Sequence, residues 1–158
     1  MPPVTQRIEK EAELVPFAAR LARLLRGGDV VALYGGLGAG KTALSRALIR
    51  HLAQNPDEEV PSPTFTLVQM YDLPEFTLWH FDLYRLEQEE RDILELGWEE
   101  ARRGGVALVE WPERLGGLLP PDRLEISMDF DTESSGAGDA RRIILTGHGA
   151  WDARLAAW

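Results

Sequence analysis

The chain has 158 residues, 44% of them apolar and 27% charged, which is typical of one soluble globular domain spanning residues 1–158. The net charge of −9 disfavours direct binding of nucleic acid, because such binding relies on basic groups that neutralise phosphates. The chain has no cysteine, which excludes disulfides. It also has no apolar run near about 20 residues and no signal-peptide pattern. These features predict a cytoplasmic protein without membrane contact.

The first third of the chain predicts the beginning of an α/β fold. Apolar residues recur at helical spacing over 13–25, so this segment should form a helix with one buried face. The apolar, β-branched run Val30–Tyr34 predicts a strand buried on both faces, as in a parallel sheet. A glycine-rich turn and a second helix over 41–53 follow this strand. The buried face of the first helix should consist of Leu14, Phe17, Ala18, Leu21 and Leu25.

The middle of the chain predicts three more strands and a helix. Two strands are expected over 65–71 and 76–82, joined by a turn. An acidic helix over 87–103 should be broken at Gly97. The apolar run Val106–Glu110 predicts another buried strand, which ends in an acid.

The last part of the chain predicts an antiparallel pair. Alternating apolar residues over 124–130 indicate a half-exposed strand, and 141–146 is its expected partner. The Gly/Ser-rich segment 131–140 between them should be mobile, and a short helix is expected over 150–158. The whole pattern predicts an α/β fold with a mostly parallel central sheet, flanking helices and antiparallel hairpin additions.

The glycine-rich turn fits the pattern Gly-x-x-x-x-Gly-Lys-[Ser/Thr]. Together with the strand before it and the helix after it, this motif predicts that the α/β fold is a P-loop NTPase fold. Glycines let the backbone curl so that successive N–H groups face phosphate oxygens, and the N-terminus of the following helix adds a positive field. Lys41 should reach the β- and γ-phosphates, and the Thr42 hydroxyl should ligate magnesium. The expected nucleotide-binding residues are Gly35, Gly36, Leu37, Gly38, Ala39, Gly40, Lys41, Thr42, Ala43 and Trp111.

Two acids at strand ends are candidates to hold the magnesium ion and its water shell. Glu110 and Asp82 each close an apolar strand, although Glu110 fits a polar strand end and Asp82 fits a helix N-cap as well. Which acid is nearer the metal stays open. Thr64 lies in the loop after the P-loop helix, where switch-type NTPases sense the γ-phosphate, but it also fits a simple turn after Pro63.

Adenine is the favoured base, because the guanine-reading motif Asn-Lys-x-Asp is missing. Trp111 follows Glu110 at the carboxyl end of its strand, where its indole ring is a candidate to stack on the base. The alternative for Trp111 is an aromatic residue of the core or its rim. ATP and Mg²⁺ are therefore the expected substrate and cofactor.

Four motifs together resemble the bacterial ATPase family TsaE, in the order and spacing of that family. They are Gly-x-Leu-Gly-Ala-Gly-Lys-Thr at 35–42, Ser-Pro-Thr-Phe-Thr-Leu-Val at 62–68, His-Phe-Asp-Leu-Tyr-Arg at 80–85 and Val-Glu-Trp-Pro-Glu at 109–113. The resemblance implies a weak ATPase that works with the proteins TsaB and TsaD to modify the adenosine beside a tRNA anticodon with threonylcarbamoyl. It implies contact with tRNA only through these partners.

The resemblance also implies roles for individual residues. Lys41 and Thr42 would hold phosphate and magnesium, Glu110 would contact magnesium, and Asp82 would be the essential acid. Thr64 would sit in a switch-like loop and Trp111 near the base. The signature residues His80, Tyr84 and Arg85 match without a role that the sequence explains. Gly36 departs from the family, which often has aspartate there.

Two other functions fit the phosphate loop. A small-molecule kinase would need an acceptor pocket and usually an arginine-bearing lid, for which the scattered arginines after Gly97 give no support. A nucleotide-gated binding module with incidental hydrolysis is not separable from a true ATPase on sequence alone.

Overall fold

A computed structural model describes residues 2–86, 90–131 and 140–158. The strands are β1 (Val4–Ile8), β2 (Val30–Tyr34), β3 (Val68–Asp72), β4 (Thr77–Asp82), β5 (Val106–Glu110), β6 (Arg123–Phe130) and β7 (Arg141–His148). The α-helices are α1 (Leu14–Ala22), α2 (Lys41–Leu52), α3 (Glu90–Glu95), α4 (Trp98–Arg102) and α5 (Ala150–Arg154). Short 3-10 helices span Glu11–Glu13, Pro112–Leu118 and Leu155–Ala157.

All seven strands belong to one sheet, with the order β1-β7-β6-β2-β5-β4-β3. The four central strands β6, β2, β5 and β4 are parallel, and antiparallel pairs extend the sheet on both sides. The predicted fold, a mostly parallel sheet with antiparallel additions, is therefore confirmed. The parallel strands end at one edge of the sheet, where Leu33 lies beside Glu110 and Glu110 lies beside Asp82.

Both faces of the central sheet are covered by apolar side chains. On one face, α1 and α2 pack against β2 through residues such as Phe17, Leu48 and Leu33. On the other face, α3 and α4 pack through Ile93 and Trp98. Because both faces are buried, β2 and β5 read as continuous apolar runs, which is why the sequence identified them correctly.

The predicted helices differ from the observed ones mainly at their ends. The first helix stops at Ala22 instead of residue 25, since the amides of Leu24 and Leu25 bond three residues back in a tighter turn. The P-loop helix stops at Leu52, one residue early. The expected break at Gly97 separates α3 from α4, with φ of 96° at Gly97, and the part of that predicted helix at 87–89 lies outside the described residues. The terminal helix is confirmed, but its last turn is 3-10.

Two predicted strands differ from the observed ones by two residues or more at one end. The strand predicted to begin at Phe65 begins at Val68, because the Leu67 amide bonds the Pro63 carbonyl and Leu67 has a left-handed φ of 68°. This turn leaves the Phe65 ring 79% exposed. The strand predicted over 141–146 extends to His148.

Strand β1 was missed altogether. It pairs antiparallel with β7, so that Val4 lies beside Leu145 and Ile8 beside Arg141. Its burial alternates along the strand and ends in the buried Ile8. The sequence of the strand has apolar residues only at its two ends, so it lacks the apolar alternation that would have identified it.

The prediction of a mobile segment at 131–140 falls mostly on residues 132–139, which lie outside the described residues. At its ends, the Asp131 amide bonds the Ala140 carbonyl at 2.9 Å. No helix within 2–86, 90–131 and 140–158 has both the length and the apolar character needed to cross a membrane.

The break at Gly97 predicts a difference in stability between two glycine variants. Gly97 and Gly104 both have left-handed φ, so alanine costs about 1–2 kcal/mol at either position. A Cβ at Gly97 would also lie 2.7 Å from the buried Trp79 ring, whereas a Cβ at Gly104 would meet no atom within 4 Å. We therefore expect Gly97→Ala to lower the free energy of unfolding by about 1–3 kcal/mol more than Gly104→Ala, as measured by urea denaturation. Equal destabilisation of the two variants would contradict the packing of Gly97 against Trp79.

Candidate functional site

The loop 35–40 connects the end of β2 to the start of α2. Its glycines Gly35, Gly38 and Gly40 have φ values of 149°, 79° and 107°, which side chains rarely adopt. The amide of Ala39 bonds the carbonyl of Gly36 at 3.2 Å, which closes a turn inside the loop. This left-handed curl at the N-terminus of a 12-residue helix matches the arrangement expected for a phosphate-binding loop.

An arginine from β7 fixes the loop from outside. The Arg141 Nε donates to the carbonyl oxygen of Ala39 at 3.0 Å, and one of its terminal nitrogens donates to Gly38 at 3.3 Å. No sequence signal predicted this role, because Arg141 lies about 100 residues from the loop and belongs to no motif. Its guanidinium therefore shapes the loop through contacts that only the fold reveals.

Lys41 is folded back over the loop. Its Nζ donates to the Gly35 carbonyl oxygen at 2.5 Å and lies 3.9 Å from the centre of the Trp111 ring. Burial lowers the pKa of the Lys41 ammonium, and the nearby carboxylates of Glu110, Asp82 and Glu113 oppose this effect. The ammonium thus lies at the mouth of the loop in a partly desolvated position, where attraction to an anion is stronger than in water.

The two candidate acids lie side by side on the same side of the loop. Glu110 and Asp82 are neighbours in the β4–β5 register, and both are almost fully buried. The Thr42 Oγ1 donates to Glu110 Oε1 at 3.3 Å, while Thr64 Oγ1 donates to Asp82 Oδ2 at 3.2 Å. The structure therefore brings Glu110 to Thr42 and Asp82 to the loop of Thr64.

Asp82 also organises the turn that follows its strand. Its Oδ1 accepts a hydrogen bond from the Tyr84 amide at 3.1 Å. No helix begins at Leu83 among the residues that the structure describes, so the contact is a side-chain turn instead of the helix N-cap that the sequence left open. Asp82 thus bonds the backbone through one oxygen and Thr64 through the other.

Trp111 has an unusual backbone and a position near the lysine. Its φ and ψ of 60° and 51° are left-handed, which is rare for a bulky residue and typical of functional sites. Its ring contacts the Lys41 ammonium, and its centre lies 4.8 Å from that of the Tyr84 ring. Stacking of Trp111 on a base stays a prediction.

His80 contacts the site although the sequence assigned it no role. Its Nε2 lies 2.7 Å from Glu110 Oε2, and its side chain is completely buried. Its spacing of two residues from Asp82 on β4 places both on one face of the strand, a signal that was present in the sequence. Of the other signature residues, Tyr84 packs on Trp111, and the Arg85 guanidinium lies 4.2 Å from the Phe65 ring centre.

These side chains surround a cavity of about 330 Å³ at the mouth of the loop. Its lining contains the predicted residues Leu37, Gly38, Ala39, Gly40, Lys41, Thr42, Ala43, Thr64, Asp82, Glu110 and Trp111. Gly35 and Gly36 form the start of the loop itself. The other site residues that the sequence predicted come from four separate segments of the chain, and in the structure they line the same cavity.

Comparison with known proteins agrees with this arrangement. The model of the family described as threonylcarbamoyl adenosine biosynthesis protein TsaE matches residues 8–143. The chain belongs to the TsaE family. Its predicted family membership is therefore confirmed, and the name of the family places it in tRNA threonylcarbamoyladenosine biosynthesis.

Individual TsaE relatives and a solved structure are similar over most of their length. The tRNA threonylcarbamoyladenosine biosynthesis protein TsaE of Rickettsia felis is 42% identical over 127 residues, which is 80% of this chain and 73% of the relative. TsaE of Haemophilus influenzae is 32% identical over 151 residues, or 92% of this chain and 90% of the relative. The crystal structure of Bacillus subtilis YdiB has a TM-score of 0.77 and 27% identity, covering 98% of this chain and 93% of YdiB.

The loop geometry of this TsaE family member predicts unequal effects at its first two glycines. A Cβ at Gly35 would lie 2.5 Å from the Met128 carbonyl oxygen, whereas a Cβ at Gly36 would meet no atom within 4 Å. If the loop binds ATP with Mg²⁺, as the sequence predicts, Gly35→Ala should weaken that binding by about 5- to 150-fold, because relief of the clash costs about 1–3 kcal/mol. Gly36→Ala should change the affinity by less than about threefold, which corresponds to well under 1 kcal/mol. Isothermal titration calorimetry measures both, and a Gly35→Ala variant that is folded and binds like Gly36→Ala would contradict the loop geometry.

Proposed function

We propose that this chain is a magnesium-dependent ATP-binding protein and weak ATPase, which acts with TsaB and TsaD in threonylcarbamoyladenosine modification of tRNA. The observation that carries this proposal is the contact between Thr42 and Glu110 at the start of the P-loop helix. It joins the hydroxyl that a P-loop uses for magnesium to a buried carboxylate from the neighbouring strand. The family's place in this tRNA modification supports the biological role.

The donor atoms at this place suit Mg²⁺. Thr42 and Glu110 offer hard oxygen ligands, with Asp82 next to Glu110 in the sheet. Among the described residues no group of three or more His, Cys, Asp and Glu side chains forms a dedicated metal cage. That fits an ion held by one or two protein oxygens and by the phosphates of its nucleotide. When bound, the ion neutralises charge that develops on the β- and γ-phosphates.

The strand order supports one orientation for the proposed nucleotide. Glu110 and Asp82 are on the β5–β4 side of the loop, so the metal and the γ-phosphate belong on that side. The nucleoside then points toward β6 and β7, where Gly40, Ala43 and Met128 line a second cavity of about 400 Å³. In this orientation Trp111 would lie near the terminal phosphate through its contact with Lys41, and the adenine would lie on the Met128 side. This proposal replaces the predicted stacking of Trp111 on the base.

Glu110 and Asp82 have different roles in the proposed reaction. Glu110 contacts Thr42 and so belongs on the metal side. Asp82 contacts Thr64 and faces the cavity in front of Lys41, a position from which a carboxylate can orient an attacking water. Lys41 stabilises the negative charge of the transferring phosphoryl group.

This division predicts the effects of isosteric variants on hydrolysis. Glu110→Gln and Asp82→Asn should each lower the rate of ATP turnover by about tenfold or more, because each removes a carboxylate that the reaction uses. Glu110→Gln should in addition raise the Mg²⁺ concentration needed for half-maximal turnover. Phosphate release, measured with saturating ATP over a range of Mg²⁺ concentrations, separates the two effects.

The matched control is Glu113→Gln. Glu113 is exposed and affects Lys41 only through its charge, so this variant has the same change in net charge near the loop. It should retain the parent rate. If Asp82→Asn or Glu110→Gln turned over ATP as fast as Glu113→Gln, that acid would have only a structural role.

The segment 62–66 is the proposed link to the partner proteins. Ser62 and Thr64 share a hydrogen bond of 2.7 Å, and Thr64 contacts Asp82 in the nucleotide cavity. The next residue, Phe65, exposes its ring under Arg85. A γ-phosphate that reorganised the Thr64 hydroxyl would therefore change the surface next to it. This coupling also favours the nucleotide-gated module as the second candidate function, in which binding and not hydrolysis is the functional step.

Association with TsaB and TsaD should therefore depend on the nucleotide. We expect tighter association with ATP than with ADP or without nucleotide, as measured by calorimetry or analytical ultracentrifugation. Thr64→Val, which keeps the shape but lacks the hydroxyl, should abolish the difference between ATP and ADP. Equal association in all three states of the unmodified chain would exclude the switch.

Contact with tRNA should depend on the partners, and the proposed location is the cytoplasm. The net charge of −9 disfavours binding of a polyanion by this chain alone.

A further inference from the structure

We infer that His80 is a positioning residue for the metal-side carboxylate Glu110, which it holds with one oxygen turned toward Thr42. This inference rests on the proposed Mg²⁺–ATP function and concerns a signature residue for which the sequence alone gave no role. His80 is completely buried and Glu110 is 3% exposed, so water offers neither of them an alternative partner.

The two oxygens of Glu110 have different partners. Oε2 lies 2.7 Å from His80 Nε2, a short distance for a hydrogen bond between an imidazole N–H and a carboxylate. Oε1 lies 3.3 Å from the Thr42 hydroxyl. Because the histidine engages one oxygen, the hydrogen bond restrains the orientation of the carboxylate, and the other oxygen remains on the side of Thr42.

The hydrogen bond with Glu110 is the one polar contact of the imidazole among the described residues. His80 Nδ1 is buried and has no hydrogen-bond partner within them. Because a carboxylate oxygen accepts hydrogen bonds and does not donate them, the ring donates through Nε2. Its orientation depends on Glu110 and on the apolar packing around β4. A buried polar side chain with one oriented donor is the usual way in which proteins fix a carboxylate that binds metal.

The Lys41 ammonium is the group that would attract the Glu110 carboxylate if the hydrogen bond from His80 were absent. The Glu110 carboxylate is the strongest of the three acids that oppose the burial effect on the Lys41 pKa, so the two charges interact. Without the imidazole, Glu110 would be free to turn toward the ammonium. That rotation would remove the carboxylate from the metal side.

The test compares two polar substitutions that differ in reach. The amide nitrogen of Gln matches His Nε2 in distance from the backbone, whereas that of Asn is one bond too short. The probe is Mn²⁺ in the presence of a non-hydrolysable ATP analogue, with free Mn²⁺ measured by electron paramagnetic resonance. The same analogue is titrated in excess EDTA to give the metal-independent affinity.

We expect His80→Asn to weaken Mn²⁺ binding to the protein–nucleotide complex by about 10–100-fold, the usual effect of losing an outer partner of a metal ligand. His80→Gln should remain within about threefold of the parent, since it restores the donor. The nucleotide affinity in EDTA should be the same for all three chains, because His80 touches the metal-side carboxylate and not the loop.

Three results would overturn the inference. A folded His80→Asn chain with parental Mn²⁺ affinity would show that the hydrogen bond does not position Glu110, and so would a folded His80→Gln chain as weak as His80→Asn. Equal losses in Mn²⁺ and in EDTA would show that His80 only supports the fold. A parent chain whose nucleotide affinity does not respond to the metal would contradict the proposed function itself, which is a different outcome.

Discussion

The parallel register of β2, β5 and β4 is the constraint on which the site depends. It places the carboxyl end of β2, Glu110 and Asp82 at neighbouring positions along one edge of the sheet. Residues separated by tens of positions in the sequence therefore meet without any local motif that joins them. A shift of one residue in any of these pairings would turn the acid to the opposite face of the sheet and away from the loop.

The site contains buried ionisable groups and a strained backbone, both of which lower the stability of the fold. Lys41, Asp82, Glu110 and His80 are all buried, and burial of ionisable groups costs free energy that hydrogen bonds offset only in part. Trp111 adds a left-handed backbone, a conformation that costs about 1–3 kcal/mol for such a residue. The apolar layers on both faces of the central sheet supply the free energy that keeps these groups in place. Such costs at one edge are expected where a protein keeps its charged groups oriented for a ligand.

The sequence predicted those parts of the fold whose physical signal is local. The run Val30–Tyr34, the glycine turn and the following helix were identified because apolar burial, left-handed glycines and helical spacing all agree there. The strand predicted from Phe65 failed because strand-forming residues there are held in a turn by Leu67 and Pro63. The contacts of Arg141 with the loop and of His80 with Glu110 could not be predicted, since both depend on which strands become neighbours in the sheet. For His80, the spacing from Asp82 showed only that the two residues share one face of their strand.

The most direct test of the central claim is a calorimetric titration of the chain with ATP and with GTP, each with Mg²⁺ and with EDTA. A site built from the P-loop, Thr42 and Glu110, without an Asn-Lys-x-Asp guanine reader, predicts that ATP binds more tightly than GTP and that Mg²⁺ strengthens the binding of ATP. GTP affinity equal to or higher than that of ATP, or ATP affinity that does not change when Mg²⁺ is removed, would contradict it.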